Sequence, residues 1–81
     1  MPSFKNIEAL VDGIGQIAIG KVDRIPCAAI ASDDENTLAM LRARPGETLL
    51  ELMARLDAAI ASAWEREVFI DEINNPPPKG R

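Results

Sequence analysis

The chain has no histidine and no tyrosine among its 81 residues, and its only cysteine is Cys27. A lone cysteine excludes a disulfide within the chain. Without histidine the commonest general base is missing, and so are most zinc ligand sets, which combine Cys and His at fixed spacings. Ser3, Ser32 and Ser62 have no visible base to activate them, and no G-x-S-x-G elbow occurs. Cys27 stands in the apolar run IPCAAIA and reads as a small buried hydrophobe. Long apolar runs are lacking as well. Nothing approaches the roughly 18 consecutive apolar residues of a membrane span. The start, MPSFKNIEALVDG, has neither the basic region nor the unbroken apolar region of a signal peptide. With the lone cysteine, this points to a reducing, cytoplasmic setting.

Positive charge is also scarce. Nine bases stand against 13 acids, for a net charge of −4. Proteins that hold nucleic acid by a general electrostatic footprint present a basic face. Arg42 and Arg44 are the nearest approach to one, and they read as a solvated edge. Membrane and nucleic-acid partners are therefore not expected. At 81 residues the chain is one small domain, whose core is marginal because such a chain buries only about 60% of its unfolded surface. Disulfide and zinc being excluded, a partner subunit is the support left open.

Glycine and proline mark out the elements that are present. Ser3 is a candidate N-cap for a first helix in which Phe4, Ile7, Leu10 and Val11 recur at helical spacing, ended by Gly13 and Gly15. Ile14 to Val22 and Ile25 to Ala31 are apolar, β-branched runs separated by Asp23-Arg24, which reads as a hairpin. Pro26 must then fall at a strand start, an edge or a bulge. Ser32 to Arg44 admits two readings. Ser32 with Glu35 has the form of a capping box, favouring a helix. Alternatively Ser32 to Asn36 is a polar loop and Thr37 to Ala43 a third strand. The strand is preferred, because two-stranded hairpins are marginal and a third strand gives the following helix a sheet to cover.

That following helix is the clearest element. Pro45-Gly46 punctuates its approach, and Thr48 with Glu51 forms a T-x-x-E box. On the helical wheel Leu49, Leu52, Met53, Leu56, Ile60, Ala63 and Trp64 share the core stripe, with Glu51, Arg55, Ser62 and Arg66 opposite and solvated. Glu51 and Arg55 read as an i,i+4 ion pair. Beside the stripe lies a second apolar flank of Leu50, Ala54, Ala58 and Ala61, where alanine lets another backbone come close. Asp57 sits between the two and reads either as a carboxylate reaching water or as a polar anchor in a subunit interface. Leu50, Ala54, Asp57, Ala58 and Ala61 are thus the candidate partner-binding surface. Beyond the helix, Val68 and Ile70 alternate against Phe69 in a possible short last strand. The expected fold is α+β: a three-stranded antiparallel meander, with an optional fourth strand, packed against one long C-terminal helix with a short N-terminal helix beside it. Residues 1–75 form the domain, and 76–81, with Pro76-Pro77-Pro78, a disordered tail.

Two motifs carry chemistry in other contexts. Gly15-Gln-Ile-Ala-Ile-Gly20-Lys21 has the spacing of a phosphate-binding loop, but Val22 replaces the required Ser or Thr, and the intervening residues favour a strand. The acids Asp33, Asp34, Glu35 and Asp71, Glu72 match no calcium-loop pattern and read as solvated turns. A carboxylate- and metal-dependent enzyme would need Asp33, Asp34 or Glu35 to converge with Glu67, Asp71 or Glu72. No cofactor or metal is expected.

The segment from Gly46 to Asn74 adds a resemblance. Through Gly46-Glu47-Thr48-Leu49, Leu52, Arg55-Leu56-Asp57, Ala59-Ile60 and Asp71-Glu72-Ile73-Asn74 it resembles the C-terminal part of small uncharacterised proteins of proteobacterial mobile elements, prophages and conjugative islands. It covers about a third of the chain, implies a bacterial accessory role and assigns no site residue. The expected function is a non-enzymatic protein-interaction module, as a homodimer or as an adaptor or inhibitor of a larger protein. A nucleic-acid accessory protein is the alternative, since helix, three strands, helix is also the element order of double-stranded-RNA-binding domains, an analogy of topology alone.

Overall fold

The computed structural model describes residues 4–22 and 24–73. Ser3 and the tail 76–81 lie outside them. The order is α1 (Lys5–Asp12), β1 (Gln16–Val22), β2 (Ile25–Ser32), β3 (Thr37–Arg42), α2 (Leu49–Arg66) and β4 (Ile70–Asp71). The fold is α+β, with one sheet in the order β1-β2-β3-β4.

Strands β1 and β2 pair antiparallel, with Ile17 opposite Ala31 and Ile19 opposite Ala29. The register slips between Gly20 and Val22, and Pro26 falls on β2 inside that slip. A bulge is one of the few places where a strand tolerates a residue without an N–H. The phosphate-loop spacing is therefore a strand, in which Gly20 takes a φ of +148°. Antiparallel pairing of β2 with β3 sets Ala29 opposite Leu41 and Ala31 opposite Ala39. Ser32 then pairs with Thr37, so Leu38 is an extra residue on β3. This irregularity lets two consecutive residues, Leu38 and Ala39, both be buried.

Of the two readings for Ser32 to Arg44, the strand forms. Asp33 decides it locally. Its carboxylate Oδ1 accepts from the backbone N–H of Glu35 at 2.8 Å and of Asn36 at 2.6 Å, and its own N–H donates to the Asn36 carbonyl at 2.9 Å. These bonds close a turn where a helix would have started. They also hold the Asp33 carboxyl below its usual range.

The fourth strand exists, but it is parallel to β3, with Ala39 beside Ile70 and Met40 beside Asp71. It does not extend the meander. Helix α2 runs back along the sheet between β3 and β4, so the chain re-enters in the same direction as β3.

Thr48 and Glu51 form the expected capping box. A turn delivers the chain to it: Pro45 and Gly46 occupy the central positions, Gly46 at φ +80°, and the Glu47 N–H reaches the Arg44 carbonyl at 2.9 Å. Only a residue tolerant of positive φ fits the third position of such a type II turn. Leu52, Leu56, Ala59, Ile60 and Ala63 of α2 close over Ala29, Ala31, Ala39 and Leu41 of the sheet. Alanines on the sheet let the leucines of the helix seat deeply. Leu41, Leu52, Leu56 and Ile60 are fully enclosed, and each such side chain contributes about 1.5–3 kcal/mol. Ala59 joins this stripe. Leu49 and Trp64, expected within it, are exposed instead, at 57% and 45%. They stand in the first and last turns of α2, where the wheel angle points inward but little sheet lies beneath.

Candidate functional site

The outer flank of α2 is where the wheel places it. Leu50, Ala54 and Ala58 are exposed and Ala61 is half-buried, one above another along the helix. Leu50 keeps 53% of its surface in contact with solvent. Of this group Ala58 also borders a cleft of about 270 Å³ between α2 and the β3–β4 edge, whose walls include Leu41, Arg44, Arg55, Ile70 and Glu72.

Asp57 is engaged within the chain. Its Oδ1 accepts from the backbone N–H groups of Asn6 and Ile7, both at 2.9 Å, and its Oδ2 accepts from the Asn6 side-chain amide at 2.9 Å. Phe4, at the N-cap of α1, supplies no side-chain cap. The first turn of an isolated helix leaves its N–H groups unpaired, and a carboxylate there also meets the positive end of the helix dipole. Asp57 thus caps α1 from another helix and fixes its place beside α2. Asp57→Ala should cost about 1–2 kcal/mol, the usual worth of an N-cap. Asp57→Asn, which keeps one acceptor oxygen, should cost less. Hydrogen exchange checks this: the amides of α1 should lose protection in Asp57→Ala while those of α2 keep theirs.

The second built feature is the set of charges around Arg55. This residue is not solvated, and its partner is not Glu51, whose carboxylate accepts from the Thr48 N–H at 2.8 Å within the capping box. Arg55 turns instead toward the cleft. Its Nε and Nη2 grip both oxygens of Glu47 at 2.7 and 2.9 Å, and its Nη1 reaches both oxygens of Glu72 at 3.2 and 3.0 Å. Nη2 also donates to the Arg42 carbonyl at 2.9 Å. Each carboxylate has a second task. Glu47 accepts from the Arg44 N–H at 3.0 Å, and Glu72 accepts from the Arg42 N–H at 3.0 Å. One guanidinium therefore ties α2, the turn before it, the end of β3 and the residue after β4. The Arg55 fork is the main reason why the Glu47 carboxyl falls to about 2, with the Arg44 N–H adding to it.

Cys27 is a half-buried free thiol. The acids do not converge as a metal-dependent enzyme would need. Asp33 closes its turn, Glu72 is held by Arg55, and among the described residues no three Cys, Asp or Glu groups lie close enough to hold a metal ion. No described helix is long and apolar enough to cross a membrane. Wheel angles find the flank but miss the roles of Asp57 and Arg55, because both side chains answer to elements distant in sequence. No family model matches the chain, and neither a curated protein nor a solved structure matches it.

Proposed function

We propose that this chain is a non-enzymatic protein-interaction module that offers the outer flank of α2 to a partner protein. The observation that carries this reading is the exposure of Leu50 within a row of alanines, on a helix whose opposite face already fills the core. Alanines at Ala54, Ala58 and Ala61 allow close approach of a second backbone, and the leucine supplies an apolar anchor. An accessory role on a bacterial mobile element, as the likeness of Gly46 to Asn74 implies, suits a module of this kind. It would act in the cytoplasm.

Site-specific cross-linking in the producing cell tests the reading. A photoreactive residue at position 54 should give a discrete covalent adduct with a partner protein, and one at Glu8, exposed on α1, should not. Leu50→Glu should abolish the adduct. Its melting temperature should stay within about 2–4 °C of the parent, because exposed substitutions rarely move stability by more than ~0.5 kcal/mol and an acid suits a first helical turn. Persistence of the adduct in Leu50→Glu, or its absence from the parent, would refute the reading.

A further inference from the structure

The α2 side of the sheet accounts for only half of its apolar side chains. Register fixes the other half. Ala18, Ile30 and Met40 are direct neighbours across β1, β2 and β3, and Gly20, Ala28 and Arg42 form the next row. These positions alternate with Ala29, Ala31, Ala39 and Leu41, which lie under α2, so they face the opposite way. An antiparallel sheet with one face in water alternates apolar with polar residues. Here the centre of the outward face, Ala18, Gly20, Ala28, Ile30 and Met40, carries no polar side chain; Ala18 is exposed, Ile30 and Met40 are half-buried, and Ala28 is enclosed by its neighbours. A strand such as β2, IPCAAIAS, reads as covered on both sides. Polar residues appear only at the rim: Gln16, Ser32 and Thr37 at one end, Arg42 at the other, Asp71 at the side. An apolar centre inside a polar rim is how a protein interface is built.

We propose that this uncovered sheet face receives a second copy of the chain, face to face and with the strands of the two copies antiparallel. Charge selects both the occupant and the direction. The β2–β3 turn at one end of the sheet carries Asp33, Asp34 and Glu35. The other end carries the exposed bases Lys21, Arg24 and Arg42, together with Arg44, which pairs with Glu72 at 3.9 Å, while Glu47 and Glu72 are held by Arg55. Asp23 lies outside the described residues. A two-fold axis along the strands would set acid on acid and base on base. A two-fold axis across the strands sets the acidic end of each copy against the basic end of the other, twice over, and stacks Ile30 and Met40 between the sheets. Three strands at about 4.8 Å spacing and five or six residues at about 3.4 Å, with the two residues of β4 beside them, give roughly 300 Å² per copy, below the size of a stable specific interface. The dimer should therefore be reversible and weakened by salt.

The proposal rests on the reading of the chain as an interaction module but uses a different face, and the test separates the two. Sedimentation velocity of the whole chain over about 1 µM to 1 mM should show a monomer–dimer equilibrium. Ile30→Thr with Met40→Thr keeps the strands β-branched, and circular dichroism checks the fold. This variant should dissociate at least about tenfold more readily, whereas Leu50→Glu should leave the equilibrium unchanged. Arg24→Glu with Arg42→Glu should weaken the dimer about tenfold, as should Asp34→Arg with Glu35→Arg, and the four changes together should restore it to within about threefold. A monomer at every concentration would overturn the proposal. So would a dimer that survives the Ile30/Met40 variant, one that Leu50→Glu dissolves, or a combined charge variant no tighter than its parts.

Discussion

Arg55→Ala should unfold this protein at a temperature about 12–24 °C below that of the parent. The side chain makes five hydrogen bonds, four of them to carboxylate oxygens. Its neighbourhood is sheltered, with side-chain exposures of 22% for Arg55, 8% for Glu47 and 16% for Glu72. Removal leaves the Glu47 and Glu72 carboxylates without their shared cation, and deprives the Arg42 carbonyl of a donor. Breaking a buried pair costs about 3–5 kcal/mol. Partial exposure places this case at the lower limit, about 3 kcal/mol. For a domain of this size each kcal/mol moves the midpoint by roughly 4–8 °C, and the whole stability is only about 4–12 kcal/mol. Arg55→Lys keeps the charge but loses the planar fork and should fall between the two. Acid titration is the second measurement. The Glu47 carboxyl lies near 2 in the folded chain against an ordinary 4.5. A depressed carboxyl stabilises the fold above its unfolded value and loses that contribution as pH falls from about 4.5 toward 2. The parent should lose stability steeply across that window. Arg55→Ala, in which Glu47 keeps only the weaker pull of Arg44, should lose much less there. Equal slopes in the two proteins would show that Glu47 owes its acidity to something other than Arg55.

What was legible in the sequence depended on how far each signal had to reach. Thr48 and Glu51 announce the start of α2 three residues apart, and the helix begins there. Asp23-Arg24 separates the runs that pair as β1 and β2, and the polar loop Ser32 to Asn36 turns the chain into β3 through the bonds of Asp33 to Glu35 and Asn36. Arg55 shows the limit. Its wheel position is opposite the core, but a wheel sees one helix and not the β3–β4 edge alongside. A usable clue was present: Glu51 was already spoken for by the capping box, so the arginine four residues on needed another acid. Glu47 and Glu72 are that acid pair, and only the return of the chain after α2 brings Glu72 near. The same limit applies to Asp57, whose ambiguous wheel angle is resolved by α1, 50 residues earlier. The parallel setting of β4 was beyond reach because two residues, Ile70 and Asp71, carry no periodicity that could give a direction. Leu49 and Trp64 are exposed because they stand in the first and last turns of α2, where a wheel angle says nothing about what lies beneath a helix end.

Gly15 should prove as intolerant as any core position, although its backbone does not demand glycine. Among the described residues the positive φ values belong to Glu67, Gly20 and Gly46, not to Gly15. The reason is space. A methyl group at residue 15 would strike the side chain of Leu10 and come within 2.8 Å of the Ser32 carbonyl oxygen. Leu10 is itself buried, and the Ser32 oxygen belongs to the end of β2, so neither yields freely. The chain is also tethered there, since the Gly15 N–H donates to the Leu10 carbonyl at 3.0 Å. Gly15 is therefore the point where the end of α1 closes onto the sheet. Overpacking such a site costs about 1–3 kcal/mol, and a contact with backbone places Gly15→Ala in the upper part of that range, at about 2–3 kcal/mol. Gly20→Ala is the control. It meets the reverse condition, a φ of +148° with no atom within 4 Å of the added group, so it isolates backbone strain from collision. Thermal melts of Gly15→Ala, Leu10→Ala and the double variant decide the cause. Leu10→Ala removes the side chain that the methyl group would strike, so the double variant should be less destabilised than the sum of the singles by about 1 kcal/mol. Strict additivity would mean that the Ser32 carbonyl alone enforces the glycine. A Gly15→Ala protein as stable as the parent would mean that the end of α1 can shift on the sheet at no cost, leaving the Asp57 cap and the packing of Ile7 to hold its start.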